Sequence, residues 1–142
     1  MIPTWVDKKV KNIRHLSDLG SMSVIYTGTL DQKRVSIKVR RKKHKGLLSE
    51  AKVLSKMLHP LIPKIHLTRE GVIVLDFVPG QDLFEYIQGL TNYLNEKTLK
   101  VIMWQITHTL KHIHEKKCMH RDVKPENIII DAKTKVTLID FG

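Results

Sequence analysis

His120-Arg121-Asp122-Val123-Lys124-Pro125-Glu126-Asn127 opens a stretch that runs on through three isoleucines, Ile128 to Ile130, and the polar turn Asp131-Ala132-Lys133-Thr134-Lys135. It then passes through the apolar run Val136 to Ile139 and closes on Asp140-Phe141-Gly142. Two short apolar segments around a turn of Asp, Lys and Thr predict a small hairpin. Such a hairpin brings Asn127 at its entry close to Asp140 at its exit. Two oxygen-bearing side chains held near each other, with Asp122 and Lys124 a turn upstream, suit a hard cation such as magnesium and the phosphates it carries.

This stretch resembles the catalytic loop and the magnesium loop of eukaryotic-type protein kinases, the family that serves as a general template for phosphoryl transfer. The resemblance implies that Asp122 accepts the proton of the attacking hydroxyl and that Lys124 offsets charge on the transferred group. It implies that Asn127 and Asp140 hold Mg2+ against the phosphates of ATP. Lysine two residues after the aspartate is the pattern of the serine/threonine branch, so the implied acceptor is an aliphatic hydroxyl of a protein substrate. An eight-residue match followed at the family's spacing by a second motif is far more specific than a lone Asp-Phe-Gly.

Moving outward, Val35-Ser36-Ile37-Lys38-Val39 alternates, with Val35, Ile37 and Val39 on one face and Ser36 with Lys38 on the other. By resemblance to the family's Val-Ala-Ile-Lys strand, Lys38 binds the α- and β-phosphates and Ser36 borders the adenine. Between Gly46 and Leu58 the period turns helical, with Leu47, Ala51, Leu54 and Leu58 on one face and Glu50 among them. A carboxylate on an apolar stripe is costly unless a cation meets it. In the family the matching glutamate pairs with the strand lysine, here Lys38, and His59-Pro60 follows nine residues on as the family has it.

The segment Leu19 to Gly28 is β-rich and follows a glycine, and the family folds a glycine-rich loop over the phosphates here. The resemblance places Gly20, Ser21 and Ile25 at the nucleotide. The pattern is eroded, since of the glycines only Gly20 remains and the loop is about two residues short. Lys64 to Thr68 and Val72 to Leu75 predict a further hairpin, and Pro79-Gly80 ends a strand and opens a helix over Asp82 to Gly89. The family's hinge falls here: backbone groups of Asp76 and Val78 would meet the adenine edge, Asp82 the ribose, and Ile129 would floor the adenine pocket. A plain strand-to-helix connector fits Asp76 to Asp82 equally well.

Leu99, Ile102, Met103, Ile106, Leu110 and Ile113 trace one face of a helix from about Lys97 to Lys117. His108 and His112, four apart, could share a metal, but no third ligand is apparent in the sequence, and core or surface histidines are the favoured account. By resemblance, His120 and Phe141 stack with Leu54 and Ile65 in the apolar spine that aligns the two lobes in this family.

With 142 residues the chain can bury one modest core, and 25 basic against 14 acidic residues leave a formal charge of +11 that attracts polyanions. The run Arg40 to Lys45 reads as a solvated basic loop with no interleaved aromatic, so nucleic acid is not an expected partner. Cys118 is the single cysteine, which excludes an internal disulfide and fits a reducing compartment. No apolar run approaches the length of a membrane span and no signal peptide is evident, so a cytoplasmic or nuclear location is expected.

These observations predict an α+β, protein-kinase-like chain. Residues 1–18 form an amino-terminal extension and 19–76 a small lobe of a five-stranded antiparallel sheet with one helix. Residues 77–142 carry the hinge, the first helices and the catalytic-loop hairpin of an incomplete large lobe. The expected activity is that of an ATP-dependent protein serine/threonine kinase, present as a fragment or truncated form. The alternative is a kinase-like regulator that pairs with another kinase chain, because the apolar face of residues 99 to 113 has no evident partner.

Overall fold

The computed structural model describes residues 2–19, 23–41, 46–69 and 71–141; of Leu19 and residues 46–48 it describes the backbone alone. Gly20, Ser21, the basic residues 42–45 and Gly142 therefore lie outside the described residues. The chain divides into two compact units, Met1–Lys52 with Lys64–Phe77 and Val53–Pro63 with Val78–Gly142.

The first unit is built on an antiparallel sheet of five strands, β1 (Lys11–Leu19), β2 (Ser23–Leu30), β3 (Lys33–Arg40), β4 (Ile65–Arg69) and β5 (Val72–Asp76), in the order β1-β2-β3-β5-β4. The expected sheet is present. β2 and β3 are joined by a two-residue turn in which Asp31 and Gln32 both have positive φ, 47° and 64°. That left-handed geometry matches the twist of the strands it connects.

Alternation then sorts the sheet's two faces. Val35, Ile37 and Val39 pack with Val72 and Val74 on one side, joined by Val6 of a short helix, α1 (Thr4–Asp7), and by Val10 just after it. The opposite side carries Ser36 and Lys38, whose cross-strand partners are Thr27 and Ile25 on β2 and Leu75 and Ile73 on β5. There Ile73 packs with Ala51 of α2 (Gly46–Leu54). Residues 4–18, set aside in sequence as part of an extension, thus supply most of an edge strand and two fully buried valines to this unit. Their scattered apolar positions carry no clean period because β1 is interrupted by two register shifts against β2.

One expectation for α2 fails. The helix ends at Leu54, and Leu58 is 82% exposed, not on the buried face. Ala51 and Leu54 are buried as expected.

The second unit pairs β6 (Gln81–Asp82), β7 (Ile128–Ile130) and β8 (Val136–Leu138) with two helices, α3 (Leu83–Gln88) and α4 (Glu96–Glu115). Asp82 caps α3 by accepting a hydrogen bond from the Glu85 amide at 2.8 Å, and Asn95 caps α4 by accepting one from Lys97 at 2.8 Å. Gly80 adopts φ +125° where it passes over β7, and a Cβ there would collide with the Ile130 carbonyl, so only glycine fits.

The apolar face of α4 also needs correcting. Ile102, Ile106, Thr109 and Ile113 are buried within this unit, with β8 beside the helix, so the stripe has a partner in the chain. Leu99 and Met103, placed on the same face by the sequence, sit at its margin and are about half exposed. Among the described residues no helix is long and apolar enough to cross a membrane.

Candidate active site

The catalytic stretch folds as the predicted hairpin. Asp131 sets its turn, its carboxylate accepting from the Lys133 and Lys135 amides at 2.8 and 2.9 Å. The Ile139 amide donates to the Asn127 carbonyl at 2.9 Å, which brings the entry of the hairpin beside the residue that precedes Asp140. Leu138, one residue further back, donates its amide to Leu61 at 2.9 Å and ties the hairpin to the segment after α2.

His120 is the hub of the loop. Its buried ring accepts from the Asp122 amide through Nδ1 at 3.2 Å, which leaves Nε2 as the protonated nitrogen, donating to the Ile139 carbonyl at 2.7 Å. Phe141 packs edge-on against the same ring with centroids 4.7 Å apart. One side chain therefore fixes both the start of the loop and the approach to Asp140.

Around it the expected catalytic residues are assembled. The buried amide of Asn127 donates through Nδ2 to the Asp122 carbonyl at 2.8 Å and to its carboxylate at 2.9 Å. The Lys124 ammonium lies 3.2 Å from the same carboxylate oxygen that Asn127 reaches, Asp122 Oδ2. The hydrogen bond from Lys124 holds the Asp122 carboxyl below the usual carboxylate range; desolvation acts against it, and the hydrogen bond from Asn127 adds a smaller lowering. Lys124 is correspondingly raised, first by that hydrogen bond and the charge of Asp122, and to a lesser degree by Glu126 and Asp140. Arg121 and Asp140 both adopt left-handed backbone, φ 73° and 63°. Non-glycine residues in that region cost about 1 kcal/mol or more each and persist where surrounding contacts over-determine them.

With Nδ2 spent on Asp122, the Asn127 side chain keeps its oxygen for another partner. A neutral amide oxygen and the Asp140 carboxylate are hard donors of the kind magnesium takes, two from the protein and the rest from water or phosphate. Among the described residues no three His, Cys, Asp or Glu side chains are set to hold a metal by themselves, as a site of that open kind requires none.

On the sheet unit, Lys38 reaches Glu50. Its ammonium donates to both carboxylate oxygens, at 2.8 and 3.0 Å, and the pair is buried on the face that also carries Ser36 and Ile25. The strand's alternation and the helix's period, read separately in the sequence, meet at this pair.

The hinge candidates divide differently. Asp76 belongs to the sheet unit, and its side chain fastens the start of β4, accepting from the Lys64 amide at 2.9 Å and lying 2.6 Å from His66 Nε2. Its own amide is taken by the Lys64 carbonyl at 2.9 Å, which occupies that donor. The neighbouring Phe77 ring is covered by the Arg34 guanidinium, 3.7 Å from the centroid. Val78 is half-buried in the second unit, where Asp82 and Ile129 are cross-strand partners in β6 and β7. Alternation turns Ile128 and Ile130 into the core and leaves Ile129 half-buried on the other face.

Two structural contacts had no signal in the sequence. Gln105 of α4 holds both ends of the hairpin turn's exit, donating to the Thr134 carbonyl at 2.8 Å and accepting from the Val136 amide at 3.0 Å. His59 lies against His112 and His108, with ring centroids 4.9 and 5.9 Å away. It is a third histidine for that pair, yet its Nδ1 already accepts from the Leu61 amide, and the cluster is not arranged to hold a metal.

Comparison with known proteins agrees with this geometry. The family model described as "Protein kinase domain" matches residues 18–142. A "Probable serine/threonine-protein kinase" of Dictyostelium discoideum is 32% identical over 145 residues, covering 92% of this chain and 31% of that protein. A serine/threonine-protein kinase of Arabidopsis thaliana is 33% identical over 157 residues, covering 94% of this chain and 33% of its own length. CBL-interacting protein kinase 21 of Oryza sativa subsp. japonica is 33% identical over 138 residues, covering 94% and 25% respectively. The chain spans a third or less of the length of these curated relatives.

Proposed function

The chain belongs to the protein kinase family, and from that premise we propose that it serves the transfer of the γ-phosphoryl group of magnesium-bound ATP to serine or threonine hydroxyls of a protein substrate. The observation that carries the reading is the Asp122 carboxylate, held between Lys124 and Asn127 and kept ionised by them.

Asp122 accepts the proton of the attacking hydroxyl, whose oxygen forms the new bond to phosphorus as ADP departs. Lys124 offsets charge on the group in transit. Asn127 and Asp140 would hold the magnesium, and Lys38, oriented by Glu50, would hold the α- and β-phosphates. The bound metal and nucleotide supply the phosphoryl donor and the neutralising charge. Because such a reaction asks for positioning and charge more than for covalent chemistry, the hydrogen-bonded loop centred on His120 supports the reading. The lysine at position 124 favours serine or threonine over tyrosine. A lone cysteine, Cys118, unpaired, supports a cytoplasmic or nuclear location.

The test is phosphate transfer from radiolabelled ATP to a serine-containing protein. We expect transfer to be lost in Asp122→Asn while ATP binding is retained. Transfer that survives this substitution would refute the proposed role of the carboxylate.

A further inference from the structure

A shallow hollow opens on the second unit, away from Asp122. Three pieces of chain wall it: α4, the hairpin turn at Lys133–Lys135 and the segment His59–Leu61. Its apolar surface includes Val101 and Trp104, which are 42% and 64% exposed. The indole lies flat on His108, centroids 5.0 Å apart and planes 12° from parallel, so one face is backed and the other is presented. Gln105 pins the turn to the helix through its two hydrogen bonds, which makes the wall preformed.

The charge around this hollow has one sign. Lys133 and Lys135 border it on the turn side, and among the described residues no acidic side chain lines it. The nearest acid in sequence, Asp131, turns its carboxylate to the amides of the turn. An exposed, backed tryptophan with a neighbouring valine is the kind of surface on which an apolar anchor gains most. Flanking ammonium groups select the sign of the partner.

We propose that this hollow docks an acidic peptide segment of a partner protein, an apolar side chain seating on Trp104 and Val101 and flanking carboxylates meeting Lys133 and Lys135. Walls on three sides suit a peptide better than the flat surface of a bilayer. A single aromatic platform is too little for a nucleic-acid strand, which stacks successive bases on successive rings. The proposal is independent of phosphoryl transfer and of the nucleotide residues.

The experiment is fluorescence anisotropy with a short fluorescein-labelled peptide of glutamates around two leucines. We expect saturable binding, weakened about tenfold or more by Trp104→Ala, by Val101→Asp and by the pair Lys133→Glu/Lys135→Glu. The same reversal at Lys8 and Lys11, exposed on the sheet unit, should leave binding within about twofold, and exchanging the peptide's leucines for serines should abolish it. Circular dichroism establishes that each variant is folded. Equal loss from both charge-reversed pairs would reduce the effect to general attraction by a chain of net charge +11 and overturn the proposal. So would absence of peptide binding, indifference to both Trp104→Ala and Val101→Asp, or Trp104-dependent binding to phosphatidylserine vesicles in place of the peptide.

Discussion

Lys38 and Glu50, twelve residues apart, form a two-pronged ion pair at 2.8 and 3.0 Å, with the lysine side chain 11% exposed and the glutamate 4%. A pair this enclosed costs more to break than to replace. Removing one partner strands a buried charge, at a cost of about 3–5 kcal/mol, whereas exchanging both for apolar groups of similar size is often nearly neutral. We predict that Glu50→Ala lowers the chain's stability by about 3 kcal/mol, at the low end because Lys38 keeps some access to water. The double variant Lys38→Met/Glu50→Leu should recover most of that loss. Urea denaturation of the three proteins checks it; a double variant no more stable than Glu50→Ala would contradict it.

The Asp122 carboxyl owes its lowered proton affinity first to the hydrogen bond from Lys124. Replacing Lys124 with Met removes that contribution and the accompanying charge while leaving Asn127 in place. Carboxyl carbon shifts followed by NMR should then show Asp122 titrating at higher pH than in the parent chain. An unchanged midpoint would mean that Asn127 and the loop backbone alone set its ionisation.

His59 is depressed below its ordinary value, chiefly by burial and then by His112 and His108. Its folded-state pKa therefore lies under the unfolded value near 6.5, and the unfolded chain takes up the proton first as the solution is acidified. The stabilisation is complete above that value and is lost as pH falls below it. The charged groups facing this ring are His108 and His112 of α4 and, across the hollow, Lys133 and Lys135, none of which can compensate a new positive charge. Melting temperatures between about pH 7.5 and 5.5 should fall less steeply in His59→Phe than in the parent. Equal slopes would contradict this.

Much of the site was legible because its signals are local and redundant. Asp122, Lys124 and Asn127 fall in one run of six residues, and Asp131 marks the turn that returns the chain to Asp140. Lys38 and Glu50 were legible for a different reason, since each breaks the polarity of its own periodic segment and the break requires a partner. What was not legible depended on contacts distant in sequence. Gln105 is one polar residue among several on α4 until the turn at Thr134 comes to rest on it. His59 acquires its meaning only from helix residues about fifty positions on. The left-handed backbone at Arg121 and Asp140 leaves no trace in residue types that do not favour it strongly.

Periodicity alone judged burial rightly on one such stripe and wrongly on another. Ile113 and Leu58 both continue an apolar helical period, yet the first is fully buried in α4 and the second lies beyond the end of α2 and is 82% exposed. We predict that Ile113→Ala costs about 2–5 kcal/mol through the cavity it leaves, and that Leu58→Ser stays within about 0.5 kcal/mol of the parent. Denaturant midpoints decide it, and comparable losses at the two positions would contradict the burial described.

The proposed function asks Lys38 to hold the phosphates of ATP, and Asn127 and Asp140 to hold its magnesium. Isothermal titration of the chain with ATP, with and without magnesium, measures this most directly. The account predicts magnesium-dependent binding that is weakened at least about tenfold by Lys38→Met and that loses its magnesium dependence in Asp140→Asn. ATP binding indifferent to both substitutions, or no binding with magnesium present, would contradict it.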